Sequence, residues 1–144
     1  MFTKALASLL PQGSTVHAVD VDAKALQKIP KEYNGVRLET SVMDFSSGVF
    51  PFHQLDGILM ANSLHYVRDK EPFLGRLMNA LKEDGCFLLV DYDMNKANHW
   101  VPYPLPIAAA EELFLKCNVQ SFEVLNKRRS VFGDRMMYAM LVKK

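Results

Sequence analysis

Cysteine is scarce. The 144 residues contain two, Cys86 and Cys117. They lie far apart and outside any CxxC spacing, which excludes a disulfide scaffold and leaves no paired thiols for a metal site. Reduced, mostly buried thiols in a cytoplasmic protein are the expectation. Long apolar runs are missing too: no stretch approaches the ~20 residues of a membrane-spanning helix. The opening MFTKALASLLPQGS has one Lys and only a short apolar run, so it reads as a helix rather than a signal peptide. Neither sign of charge is in excess. Seventeen Lys and Arg against sixteen Asp and Glu leave +1, which gives no electrostatic reason for nucleic acid or an anionic membrane as the main partner.

What is present fits a globular chain. Hydrophobic residues make up 49% and charged residues 23%, which excludes a disordered class. There is no internal repeat, low-complexity tract or linker, so residues 1–144 read as one domain. Such a length buries roughly two thirds of the surface of its unfolded form.

Helical and strand periodicities alternate along the chain. Thr3 to Leu10 predicts a helix with Leu6, Leu9 and Leu10 on one face, stopped by Pro11 and Gly13. Thr15 to Val21 predicts a β-branched strand, and Ala23 to Ile29 a helix with Asp22 as N-cap and Pro30 beyond its end. Val36 to Thr40 is a strand, with a loop at Ser46, Ser47 and Gly48. Leu55 to Ala61 (LDGILMA) and Cys86 to Val90 (CFLLV) are apolar strands that flank a helix over 71–81, ended by Glu83-Asp84-Gly85. Ile107 to Lys116 is a helix after an aromatic loop at 92–106. Two closing strands, Val119 to Leu125 and Met136 to Val142, flank a basic stretch where Lys127, Arg128 and Arg129 form a solvated turn. Apolar strands alternating with helices predict an α/β fold with a mostly parallel sheet, helices on both faces and an antiparallel C-terminal strand pair. Ligands of such sheets lie beyond the carboxyl ends of the strands.

Residues at those ends carry the chemistry. Asp20 is placed to accept hydrogen bonds from vicinal hydroxyls, as in a ribose, or else to cap the next helix with Asp22. Asp44 beside Phe45 suits an adenine, the carboxylate accepting from an exocyclic amine and the ring covering a face; an Asx-turn into Ser46-Ser47 is the alternative. Asn62 can bond a carboxylate or amine. His65 and Tyr66 follow the same strand, with His65 either a general base or a packed residue. Asp69 is placed to cap the next helix. Asp91, His99 and Trp100 follow the CFLLV strand and line a substrate pocket or cover the core edge.

In this order the segments resemble the class I S-adenosylmethionine-dependent methyltransferases, with a Rossmann-like fold. VHAVDVDAKAL is similar to the family's second strand, VRLETSVMDF to the third, LDGILMANSLHYVRD to the fourth and LKEDGCFLLVDYD to the fifth. Residues 107–144 resemble the fifth helix and the closing pair. The resemblance implies S-adenosyl-L-methionine as cofactor. Asp20 would hold the ribose, Val21, Asp44 and Phe45 the adenine, and Ala61 and Asn62 the methionine portion. His65 is the first candidate base, with Tyr66, Asp91, His99 and Trp100 around a small-molecule substrate and no metal.

The family opens with a central strand and a GxGxG-type turn, whereas this sequence begins inside the following helix. The resemblance therefore implies that the first strand is missing, so that the second and fourth strands close up, a second copy completes the sheet as a homodimer, or the chain does not form the family's sheet as drawn. Two functions follow: methyl transfer to a small molecule, or a cofactor-incompetent remnant or truncated product that acts, if at all, as an interaction module. A nicotinamide-dependent Rossmann enzyme would need the same absent glycine turn and fits the antiparallel closing pair less well.

Overall fold

The structure, a computed structural model, describes residues 2–47, 50–131 and 133–144. The chain divides into two compact units, residues 1–49 and 50–144. Gly48 of the expected loop lies outside the described residues.

The first unit holds α1 (Phe2–Ala7), β1 (Thr15–Asp20), α2 (Ala23–Gln27), β2 (Glu32–Tyr33) and β3 (Val36–Val42), with sheet order β1-β3-β2. β1 and β3 run parallel in register from Thr15↔Arg37 to Asp20↔Val42. The Asp22 carboxylate accepts from the Lys24 and Ala25 amides, so α2 starts on the predicted cap. β2 was not predicted. It forms a hairpin with β3 through Asn34-Gly35, both at positive φ (52° and 75°), as the tight turns that match strand twist require. Ala7, Val36 and Leu38 are buried together, with Val16, Ile29 and Tyr33 packed on them.

Two expectations change here. The first helix ends at Ala7 rather than Leu10, because Pro11 disfavours helical backbone just before it; Leu9 is consequently 84% exposed. β1 and β3 are not buried on both faces. Only Val36 and Leu38 are sealed on β3 and no residue on β1, since α1 and α2, six and five residues long, supply little covering surface.

The second unit holds β4 (Leu55–Ala61), a 3-10 turn (Leu64–Tyr66), α3 (Lys70–Ala80), β5 (Leu81–Tyr92), α4 (Ile107–Lys116), β6 (Ser121–Arg129) and β7 (Met136–Lys143). The sheet order is β4-β5-β7-β6, parallel between β4 and β5 and antiparallel elsewhere. The predicted closing pair is therefore present. Phe73, Leu74, Leu77 and Met78 of α3, Phe87 and Leu89 of β5, Phe114 of α4 and Met140 and Val142 of β7 are among its buried apolar residues.

α3 stops at Ala80, and β5 begins at Leu81, earlier than Cys86. Between the pairs Leu55↔Leu81 and Gly57↔Cys86 the register shifts, so the predicted Glu83-Asp84-Gly85 turn survives as a bulge inside the strand. β6 runs on to Arg129 past a second register shift between Val124 and Asn126. Lys127, Arg128 and Arg129 thus belong to an exposed edge strand, not to a turn, and charge there discourages further pairing.

The class is α/β and Rossmann-like. β1 and β4 are each an outer strand of the sheet in their own unit. No helix of the described residues is long and apolar enough to cross a membrane.

Candidate functional site

In the first unit, the parallel register brings two acids to one end of one strand pair. Asp20 is the last residue of β1, opposite Val42, and Asp44 lies two residues beyond Val42, the end of the neighbouring strand β3; the Met43 amide donates to the Asp20 carbonyl at 3.0 Å. Asp20 Oδ1 accepts the Asp22 amide at 2.9 Å, which fixes the turn from β1 into α2. Val21 is exposed beside it.

Asp44 forms the Asx-turn that its neighbours suggested. Its Oδ1 accepts the Ser46 amide at 2.9 Å and the Ser46 hydroxyl at 2.6 Å, while Oδ2 accepts the Ser47 hydroxyl at 2.9 Å. These bonds, the Ser46 hydroxyl foremost, hold its carboxyl below the usual aspartate range. Phe45 is half-buried next to it.

In the second unit, the chain leaves β4 through Asn62, whose φ of 54° lies in the left-handed region that asparagine tolerates. Its amide donates to the Val90 carbonyl at 2.8 Å, continuing the β4–β5 ladder one residue past Ala61↔Val90. The side-chain Oδ1 is buried without a hydrogen-bond partner. The sharp exit turns the chain into the 3-10 turn that carries His65.

His65 is 2% exposed, and its Nδ1 lies 2.6 Å from Oδ1 of Asp91, which is 0% exposed. Strand alternation puts the carboxylate there, because Phe87, Leu89 and Asp91 share the inward face of β5. The Tyr92 amide donates to the same Oδ1 at 2.8 Å, while Oδ2 has no partner. The Tyr66 ring, 51% exposed, lies 4.5 Å from the imidazole, and the Tyr92 ring 6.0 Å.

The loop after β5 is tied to this centre by its backbone. The Tyr103 amide donates to the His65 carbonyl at 3.0 Å, and the Lys70 ammonium bridges the Val67 and Tyr103 carbonyls at 2.7 and 2.8 Å. Burial pulls Lys70 below its ordinary range, and the charge of Asp91 opposes that shift. Tyr138 sits opposite Asp91 on β7 and donates to the Leu105 carbonyl at 2.8 Å; burial foremost, then Asp91 and Asp93, push its phenol far upward.

His99 and Trp100 pack edge to face at 5.4 Å on the outer part of this loop, and Trp100 is 73% exposed. Asp69 occupies the N-cap position of α3 without a side-chain capping bond. Asp93 does such work instead for α4, accepting the Ile107 amide at 3.1 Å. A surface cleft of about 390 Å³ between the start of α3 and α4, lined by Arg68, Lys70, Glu112 and Lys116 among others, includes none of the predicted site residues.

The structure thus joins His65 to Asp91 and Tyr66, and sets Asp20 and Asp44 at one strand end. Sequence reading missed the roles of Lys70, Tyr92 and Tyr138. Tyr92 and Tyr138 adjoin or face Asp91, while no spacing marks Lys70 as the loop's anchor.

A family model described as a methyltransferase domain matches residues 1–87. The chain belongs to that family. Solved structures agree in fold. An S-adenosylmethionine-dependent methyltransferase from Methanosarcina mazei superposes with a TM-score of 0.72 at 16% identity, over 99% of this chain and 86% of that one. The 1,6-didemethyltoxoflavin-N1-methyltransferase of Burkholderia thailandensis, with bound 1,6-didemethyltoxoflavin and S-adenosylhomocysteine, gives 0.64 at 20% identity over 90% and 60% of the two chains. A TehB-like methyltransferase from Corynebacterium glutamicum gives 0.58 at 15% identity over 96% and 85%. No curated protein matches the chain at a significant level.

Proposed function

We propose that the chain transfers a methyl group from S-adenosylmethionine to a small-molecule acceptor. The carrying observation is that its candidate ligands sit at carboxyl ends of parallel strand pairs: Asp20 and Asp44 on β1 and β3, Asn62 and Asp91 on β4 and β5. The cofactor, when bound, supplies a methyl group activated on a sulfonium, so the protein's task is to bind and align.

The residues present fit it. In the first unit Asp20, one oxygen committed to a turn, accepts ribose hydroxyls with the other, while Val21, Asp44 and Phe45 serve the adenine. In the second unit the orphaned Oδ1 of Asn62 awaits a donor such as an ammonium, with Ala61 beside it. His65 is the base, and Tyr66, Asp91, His99 and Trp100 form the acceptor side. Calorimetric titration with S-adenosylhomocysteine tests the reading. Micromolar binding that Asp20→Ala abolishes supports it, and a folded, monodisperse sample that releases no heat contradicts it.

A second reading is favoured by one observation. Among the described residues, β1 and β4 each leave one edge unpaired, which suits an interaction module or a homodimer pairing along such an edge. A dimer in solution without cofactor binding supports that alternative.

A further inference from the structure

Residues 101–106 read VPYPLP, with proline at every second position. Each proline fixes φ and removes an N–H, so this strap is stiff and cannot add a regular ladder to the sheet. Val101 and Leu105 are sealed from solvent. Three bonds tie the strap down: the Tyr103 amide to the His65 carbonyl, the Lys70 ammonium to the Tyr103 carbonyl and the Tyr138 hydroxyl to the Leu105 carbonyl. The loop's base is closed at Asp93, whose amide donates to the Met136 carbonyl and whose Oδ1 accepts the Ile107 amide. Between Met94 and Val101 the hydrogen bonds stay local. The Met94 amide donates to the Tyr92 carbonyl, the Asn98 amide to the Val101 carbonyl, and Asn98 Oδ1 accepts the Trp100 and Val101 amides.

Holding this arch down opposes two groups' need for water. Asn98 Nδ2 is buried without a partner, and the Lys70 ammonium is drawn partly out of solvent. Against that stand the bonds from Lys70 to the Val67 and Tyr103 carbonyls and the Tyr103 ring, 5.7 Å from Nζ. Among the described residues no carboxylate pairs with Lys70, so its charge is directed at those two carbonyls.

We propose that Lys70 is a clasp that holds residues 94–104 down as one flap, hinged at Asp93 and Leu105, and that without its ammonium the flap lifts while the rest of the second unit stays folded. The hinges are the ties that do not involve Lys70: Asp93 on Ile107, and Tyr138 on Leu105. The prolines make the strap lift as a piece rather than fray residue by residue. Loss of the ammonium leaves the Val67 and Tyr103 carbonyls without this donor, and parting them lets both meet water. His99 and Trp100 ride on the flap. Its bearing on the acceptor side rests on the methyltransferase reading; the clasp itself does not.

The test is amide hydrogen exchange on the full chain without cofactor, labelled with ¹⁵N, in wild type, Lys70→Met and Lys70→Arg. Lys70→Met keeps an apolar stem and removes the donors; Lys70→Arg keeps a cation that donates. In Lys70→Met the Tyr103 amide is expected to exchange at least about tenfold faster, while Ile107 at the hinge and Met140 in β7 keep their wild-type rates. Trp100, the single tryptophan, is expected to lose fluorescence anisotropy in the same variant. Lys70→Arg is expected to restore both readouts. Unchanged Tyr103 exchange and Trp100 anisotropy in Lys70→Met overturn the proposal. So does acceleration spread equally over Tyr103, Ile107 and Met140, which is loss of stability throughout the unit. A Lys70→Arg variant as fast as Lys70→Met overturns the role of the cation. If Lys70→Met does not fold, the wild type decides: Tyr103 exchange that responds weakly to low urea while that of Met140 rises supports a flap, and one common urea dependence overturns it. None of these readouts uses cofactor, so they stand or fall apart from the titration with S-adenosylhomocysteine that tests the methyltransferase reading.

Discussion

Asp91 Oδ1 lies 2.6 Å from His65 Nδ1, and both side chains are closed off from solvent. The pair links the exit of β4 to the end of β5, so it serves the stability of the second unit. His65→Ala leaves the buried carboxylate with the Tyr92 amide alone and is expected to cost about 3–5 kcal/mol. Asp91→Ala leaves one buried N–H without an acceptor and is expected to cost less, about 1–3 kcal/mol. Urea denaturation followed by circular dichroism measures both, and equal losses would contradict the ordering.

Asp20 and Asp22 are two residues apart and do different work. Asp22→Ala removes the acceptor for two amides of α2 and is expected to destabilise the first unit by about 0.5–2 kcal/mol, leaving the affinity for S-adenosylhomocysteine unchanged. Asp20→Ala is expected to abolish that affinity while costing the first unit less, since it loses only the bond from the Asp22 amide. Thermal melts and calorimetry on both variants give four numbers, and the crossed pattern is the expected outcome.

Asp44 titrates below the ordinary carboxylate range because the folded state donates hydrogen bonds to its charged form. Its folded value is lowered. Its contribution to stability is therefore present above the usual value, about 3.9, and is lost as pH falls through the folded one. Ser46→Ala removes the main donor and is expected to move the Asp44 midpoint up, read from the carboxyl ¹³C shift across an acid titration.

Gly85 closes the bulge of β5 where space is short. A Cβ there would lie 3.0 Å from the Lys82 carbonyl oxygen and 3.0 Å from the Leu81 Cβ, neither a flexible side-chain tip. Gly85→Ala is expected to cost about 1–3 kcal/mol through backbone displacement. Gly75→Ala, on open helix surface, is expected to be neutral or mildly stabilising. Melting temperatures of the two variants check the contrast.

The legible parts of this chain were those with a strong local cause. LDGILMA and the helix at 107–116 match their observed bounds, and Asp22 caps α2, because an apolar run or a capping acid acts within a few residues. The Asn34-Gly35 hairpin was equally local, and its turn signal was present though unread. β6 ran past Leu125 for another reason. Its basic residues look like a turn by composition, yet the pairing that holds them in a strand comes from β7. The His65–Asp91 bond, between residues 26 positions apart, followed from neither spacing nor motif. A clue existed in the alternation Phe87, Leu89, Asp91, which puts an acid where the strand points inward. The orphaned oxygen of Asn62 depends on three-dimensional packing and left no mark in the sequence.

The central claim is that these strand-end residues bind the cofactor. The most direct measurement is a ¹H–¹⁵N spectrum of the full chain titrated with S-adenosylhomocysteine. The predicted result is saturable shifts of the Val21, Phe45 and Asn62 amides with a common affinity, lost in Asp20→Ala. Shifts confined to β6 and β7, or none at all in a folded sample, would contradict it.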